Sequence, residues 1–179
     1  MQSSVSKERY KHSWKAGGVS ATRYQRACID AYKSTKSEDI NMHVDYWHPK
    51  ENGERDGVDV KGNNLPDEIW VEFRNVRGDL GWLLGEAKWI AFEMPEVNGF
   101  IRVERKDLYL WCRKNIDFKD YVLLKEDAYR RIYQRIGRQD KISKLTIKDL
   151  QDLKSYTVVP YSCEFIHPET DNREVIFVP

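Results

Sequence analysis

The chain predicts an α/β domain, a sandwich built on a central mixed sheet flanked by helices. Three observations carry that expectation. From Ala21 to Lys33, Tyr24, Ala27, Cys28 and Ala31 recur at the spacing of one buried helix face. The runs Ile40 to Tyr46, Gly57 to Lys61 and Ile69 to Val76 instead alternate apolar and polar residues, the period of two of a half-buried strand. Helical and strand patterns keep interleaving beyond Val76, an order that suits a layered α/β fold better than a helical bundle. A length of 179 residues gives room for one sizeable core, and 12% aromatic content favours a globular chain over a disordered one.

Met1 to Val19 mixes Ser, Lys and Gly and reads as a basic, mobile arm ahead of one domain over residues 20–179. Its Lys7, Arg9, Lys11 and Lys15, with Tyr10 and Trp14, could touch a polyanion. Ser20 serves as the cap of the first helix, and Ser34 to Asp39 reads as a polar turn into the next strand. In that strand Ile40, Met42, Val44 and Tyr46 face the core, while Asn41, His43, Asp45 and Trp47 face away. The loop Glu51-Asn52-Gly53, with Gly53 left-handed, closes a hairpin that pairs Lys50 with Glu54. Carried back, the same register sets Asp45 opposite Asp59. The returning strand buries Val58 and Val60 and shows Asp59 and Lys61. A third strand buries Ile69, Val71 and Phe73 and shows Trp70, Glu72 and Arg74. Three strands thus offer Asp45, Asp59, Lys61, Glu72 and Arg74 to one site.

Two carboxylates facing each other repel, and a hard divalent cation such as Mg²⁺ relieves that repulsion. A neighbouring lysine can orient or deprotonate an attacking water and offset charge developing on a phosphate, so the set is equipped to hydrolyse a phosphodiester. Asp45, a spacer of thirteen residues and Asp59-x-Lys61 resemble the core of the PD-(D/E)xK, or restriction-endonuclease-like, nuclease superfamily, although no Pro precedes Asp45. The segment IWVEFRNVRGDLGWLLGEAKWIAFE is similar to the strand and glycine-bearing stretch that follow in phage and bacterial members. Where those carry an Asp after the Ala, this chain has Lys88. The resemblance implies a restriction-endonuclease-like α/β sandwich and a deoxyribonuclease. It implies Mg²⁺, with Mn²⁺ as a substitute, on Asp45 and Asp59, Lys61 beside the attacking water, and Glu72 as an accessory ligand. A helix before the catalytic strands often supplies a further polar group in this family, and Gln25 is the candidate. A second alignment stays open, with Asp59 as the first acid and Glu72-Phe73-Arg74 standing for the acid-x-Lys pair. Because Arg can clamp phosphate but cannot act as a base, the Asp45/Asp59/Lys61 set is preferred.

Gly78, Gly81 and Gly85 punctuate a loop before the strand Lys88 to Met94. Pro95 to Gly99 turns into the strand Phe100 to Val103, and a helix follows from Asp107 to Lys114, burying Leu108, Leu110 or Trp111. Trp82 and Trp89 read as core residues rather than base-stacking platforms. From Glu126 to Lys144 the spacing of Arg130, Arg131, Arg135 and Arg138, interleaved with Tyr129 and Tyr133, predicts a helix whose basic stripe lies along a DNA backbone; the alternative is a solvated face. YQRIGRQDKISKL is also similar to the region after the core in relatives of the nuclease. Leu145 to Leu153 predicts a short helix or a strand and helix. Thr157 to Phe165 and Glu174 to Val178 read as an edge hairpin over His167-Pro168.

A net charge of +1 means that any DNA surface depends on local segregation of charge. Cys28, Cys112 and Cys163 lack CxxC spacing, which argues against zinc sites and disulfide frameworks. The four histidines match no zinc motif either, although His43 shares the face of Asp45. No phosphate-binding loop, nucleophile elbow or dinucleotide fingerprint occurs. No signal-type or membrane-length apolar run occurs, so a cytoplasmic protein without a membrane partner is expected. The partner expected is DNA, and a homodimer stays open. The rival reading keeps the same fold as a binding module for DNA or a protein that does not cut.

Overall fold

Two mixed sheets and four helices make up the residues described by the computed structural model, 18–62 and 65–161. Helix α1 covers 18–27 and α2 Lys36–Met42. Strands β1 (Tyr32–Lys33), β2 (Tyr46–Pro49) and β3 (Arg55–Lys61) form an antiparallel meander. Strand β4 is Ile69–Arg74, β5 Trp89–Met94 and β6 Gly99–Glu104; helix α3 is Arg105–Asn115. Strands β7 (Asp117–Val122), β8 (Arg131–Tyr133) and β9 (Lys141–Leu145), helix α4 (Ile147–Gln151) and strand β10 (Thr157–Pro160) complete the order. The first sheet runs β1-β2-β3-β5-β6-β10, with β5 parallel to β3, and the second runs β4-β9-β8-β7.

Alternation along β3, β5 and β6 gives the first sheet two buried faces. Val58, Val60, Ala91 and Phe100 lie under α1, against Tyr24 and Ala31. Ile90, Phe92, Ile101 and Val103 point the other way, into a core shared with Ile69, Val71 and Phe73 of β4, Ile132, Leu145, and Leu108 and Cys112 of α3. Each of these fully buried side chains contributes roughly 2 kcal/mol of transfer free energy. The parity that puts Ile90 and Phe92 in the shared core also puts their β3 partners, Asp59 and Lys61, on that side. These two polar residues therefore belong to an interlayer seam and not to an open polar face.

Several expectations need correction. The hairpin register holds, with Tyr46 opposite Val58 and Pro49 opposite Arg55, and Gly53 takes φ 82°. Residues 40–45, however, are not strand. Thr35 and Glu38 form a capping box that starts α2 in place of the expected turn, and Ile40 is 61% exposed. α1 ends at 27, short of Lys33, and Ser20 lies within it, donating its hydroxyl to Glu93. β4 shows the expected alternation but joins the second sheet. In α3, Leu108 and Cys112 are buried while Leu110 is exposed. Trp82 is buried as expected, whereas Trp89 is half-buried between Lys88 and Arg102. The expected basic helix over 126–144 is a 3₁₀ turn, then β8, a turn at Gly137 and β9. Nearly all of the N-terminal arm and the strand expected at Glu174 to Val178 lie outside the described residues. No helix among the described residues is long and apolar enough to cross a membrane.

Candidate functional site

Asp45 sits in the bend where the β2–β3 ladder gives out. Its N–H donates to the Val58 carbonyl at 2.8 Å, Ser34 N–H donates to its carbonyl at 2.9 Å, and its Oδ2 accepts the Val60 N–H at 2.7 Å. The carboxylate is thereby held along β3 beside Asp59, so the two acids meet by one reaching back over the strand instead of by a straight cross-strand pairing.

Asp59 is 4% exposed. Lys61 Nζ lies 2.8 Å from its Oδ1, and its Oδ2 is buried without a hydrogen-bond partner among the described residues. Burial drives the Asp59 carboxyl up from 3.8 to about 7; Lys61 opposes this and the charge of Asp45 adds to it. When protonated, Asp59 can donate to Asp45. An uncompensated carboxylate oxygen in a dry seam is costly to keep unless something binds it.

Around this pair the fold gathers three further groups. Asp39 of α2, exposed overall, has its pKa raised by partial desolvation of its carboxyl and then by Asp45, with Lys61 opposing. His43, the left-handed C-cap of α2 at φ 54°, has its pKa lowered by burial and then by Lys61. Glu72 on β4 is raised by burial, with Lys61 as its largest opposing influence. Lys61, lying over the Trp82 ring at 5.0 Å, thus stands among Asp59, Glu72, Asp39 and His43. The loop from Gly78 to Gly85 clamps the assembly, since a Cβ on Gly81 would strike the Glu72 carbonyl and one on Gly85 would crowd His43. Asp39 escapes a reading based on strands; its signal was the Thr35-x-x-Glu38 capping box, which turns Asp39 and His43 into neighbours one helical turn apart.

Other expected residues fall elsewhere. Gln25 is exposed on α1, which covers the face of β3 opposite to Asp59. Arg74 donates to the Gly78 carbonyl at 2.6 Å and lines a separate cavity. Lys88, the departure from the family pattern, forms ion pairs with Asp56 together with Lys50, both at 2.8 Å. Arg130 pairs with buried Asp149 at 2.5 Å, Arg131 pairs with Asp120, and Arg135 pairs with buried Asp140. Arg135 and Asp140 also act electrostatically on Glu72, so Arg135 is the member of the basic segment tied to the carboxylates. Arg138 is exposed.

The donors converging at Asp45 and Asp59 are carboxylate oxygens, the ligand type that Mg²⁺ and Mn²⁺ take, and the orphaned Oδ2 of Asp59 fits such a cation. No set of three or more His, Cys, Asp or Glu among the described residues is already drawn into metal-ligand geometry. Comparison with protein-family models, with curated proteins and with solved structures gave no match to this chain.

Proposed function

We propose that the chain is a divalent-metal-dependent deoxyribonuclease of the PD-(D/E)xK type, with a restriction-endonuclease-like sandwich as its fold. One observation carries the reading: the buried, unpartnered Oδ2 of Asp59, beside a second carboxylate and flanked by Lys61. The meander of β1, β2 and β3, with β5 added in parallel, is a mixed sheet that supports it. Asp45 and Asp59 would hold Mg²⁺ or Mn²⁺, which supplies charge to the scissile phosphate and acidifies a bound water. Lys61 orients the attacking water and offsets charge growing on the phosphate oxygens. Glu72, through its influence on Lys61, is a positioning residue for that ammonium. Asp45 takes its orientation from the Val60 N–H, which is independent of any bound ion.

The competing reading is a module that binds DNA or a protein without cutting. The Lys61–Asp59 ion pair favours it, because an internal ammonium can neutralise Asp59 without a cation. Incubation with supercoiled plasmid and linear single-stranded DNA in Mg²⁺, Mn²⁺ and EDTA separates the two. Nicking in either metal, absent in EDTA and lost by a thousandfold or so in Asp45→Ala, supports the nuclease. DNA binding that is indifferent to metal, with no cleavage, supports the module.

A further inference from the structure

A cavity of about 220 Å³ opens where α3 meets the second sheet, and none of Asp45, Asp59, Lys61 or Glu72 lines it. Its walls are aromatic and aliphatic: Phe73 of β4, Tyr109 of α3, Phe118 of β7 and the buried Ile132 of β8. Phe73, itself buried, meets Phe118 edge to face at 4.9 Å, while Phe118 and Tyr109 are half-buried and carry the exposed aromatic surface of the wall. Three cations share the lining. Arg113, one helical turn beyond Tyr109, has its guanidinium 5.1 Å from the Phe118 ring; Lys141 donates to the Tyr121 hydroxyl at 2.9 Å; Arg74 completes the set.

The charge pattern decides what fits. No carboxylate lines the cavity, and among the described residues none of Arg74, Arg113 and Lys141 has an ion-pair partner, whereas Arg130, Arg131 and Arg135 each have one. Three cations without a carboxylate partner among the described residues, Arg74 and Lys141 held only by the neutral Gly78 carbonyl and Tyr121 hydroxyl, ask around a ring-lined space for a ligand that is both anionic and flat. A phosphate alone would leave the aromatic walls wet, and an uncharged base would leave the cations unanswered.

We infer that this cavity binds a nucleotide bearing a terminal phosphate, its base against Phe118 and Tyr109 over the buried Phe73 and its phosphate toward Arg113 and Lys141, with Arg74 beside them. Base stacking on aromatic side chains is worth about 1–3 kcal/mol and tolerates any base, so the site recognises a phosphorylated nucleotide and not a sequence. The inference stands apart from the nuclease reading, because it uses none of the carboxylates.

Calorimetry on the full chain in EDTA, which silences any metal site, tests it with four probes: 2′-deoxyadenosine 5′-monophosphate, deoxyadenosine, inorganic phosphate, and a short oligo(dA) with a 5′-phosphate. The monophosphate should bind at least about tenfold more tightly than deoxyadenosine or phosphate, the gap expected when one charged or stacking contact is missing. Arg113→Gln, at an exposed helical position that leaves the fold intact, should weaken the monophosphate by about tenfold. An oligonucleotide that binds more tightly than the monophosphate and is equally sensitive to Arg113→Gln assigns the site to a strand end; equal affinities assign it to a free nucleotide. Phosphate binding as tightly as the monophosphate, monophosphate affinity unchanged in Arg113→Gln, or no binding of the monophosphate at millimolar concentration would overturn the inference.

Discussion

Asp59 and Asp149 are both buried aspartates, yet the chain treats them oppositely. Asp149 Oδ1 accepts from Arg130 and from the Tyr129 hydroxyl at 3.2 Å, while its Oδ2 accepts the Thr146 N–H at 2.9 Å as half of a capping box. Asp59 has one lysine on one oxygen, nothing on the other, and a second carboxylate for a neighbour. Asp140 also leaves an oxygen unpartnered among the described residues and lies near Glu72, but its other oxygen takes two donors of the Arg135 guanidinium. A completed network holds a fold together. An incomplete one flanked by like charge works against the fold and is retained where a ligand completes it.

The largest expected effect comes from breaking the completed network. Asp149→Ala takes the acceptor from Arg130, from the Tyr129 hydroxyl and from the Thr146 N–H, the last being half of the α4 capping box, so the urea midpoint should report a loss of about 2–3 kcal/mol. Asp59→Asn in EDTA at pH 8 should be neutral or stabilising, because the amide can donate to Asp45, position 59 no longer buries a charge, and Lys61 keeps Glu72 and Asp39 as charged neighbours. A comparable loss from Asp59→Asn would erase the contrast.

On the nuclease reading, Lys61→Ala should lower cleavage about a hundredfold or more while leaving folding and Mg²⁺ binding intact. Arg74→Ala should cost far less, since Arg74 turns to the Gly78 carbonyl. Cleavage lost in Arg74→Ala and kept in Lys61→Ala would move the chemistry to the alternative set of Asp59, Glu72 and Arg74.

Proton linkage sharpens the same comparison. Asp59 titrates near 3.8 when unfolded and near 7 when folded, so between those values the folded state holds the extra proton. Its contribution to stability is complete below about 3.8 and declines as pH rises through about 7. Thermal melts in EDTA across this window should fall more steeply for the parent chain than for Asp59→Asn. Mg²⁺ at pH 8 should raise the melting temperature of the parent alone. Parallel pH profiles would show that Asp59 keeps its charge when folded.

What the sequence disclosed follows from the range of the interactions involved. The β2–β3 register was legible because Asn52-Gly53 and the alternation about it are local; it holds from Tyr46 to Pro49, and Asp45 then reaches Asp59 from the bend beyond the ladder and not as its cross-strand partner. The burial of Asp59 was not, since it requires β4 to leave the first sheet and cover the seam from the second, a pairing with β9 some seventy residues away. Residues 36–42 misled because buried Val44 and Tyr46 continue a parity that starts inside a helix. In 126–144, the spacings Tyr129/Tyr133 and Arg131/Arg135 imitate a helical stripe. Arg130 at φ 55° and Gly137 at φ 72° break any such helix, and buried Asp140 and Asp149 claim two of the arginines. Asp39 was hidden by the same misreading that hid α2.

The smallest effect concerns the arginines that remain for DNA. Arg138 is exposed and no carboxylate among the described residues holds it, so on the DNA-binding reading Arg138→Gln should reduce the slope of log affinity against log salt by about 0.9, one phosphate contact. Arg131 must first leave Asp120, with which it forms an exposed, solvent-screened pair. Arg131→Gln should therefore change the slope less than Arg138→Gln does. Asp120→Asn, which frees the guanidinium without removing it, should raise affinity and steepen the slope. If Asp120→Asn leaves binding unchanged while Arg131→Gln weakens it as much as Arg138→Gln, the Asp120 pair does not compete with phosphate, and pairing inside the chain is no guide to which arginines meet DNA.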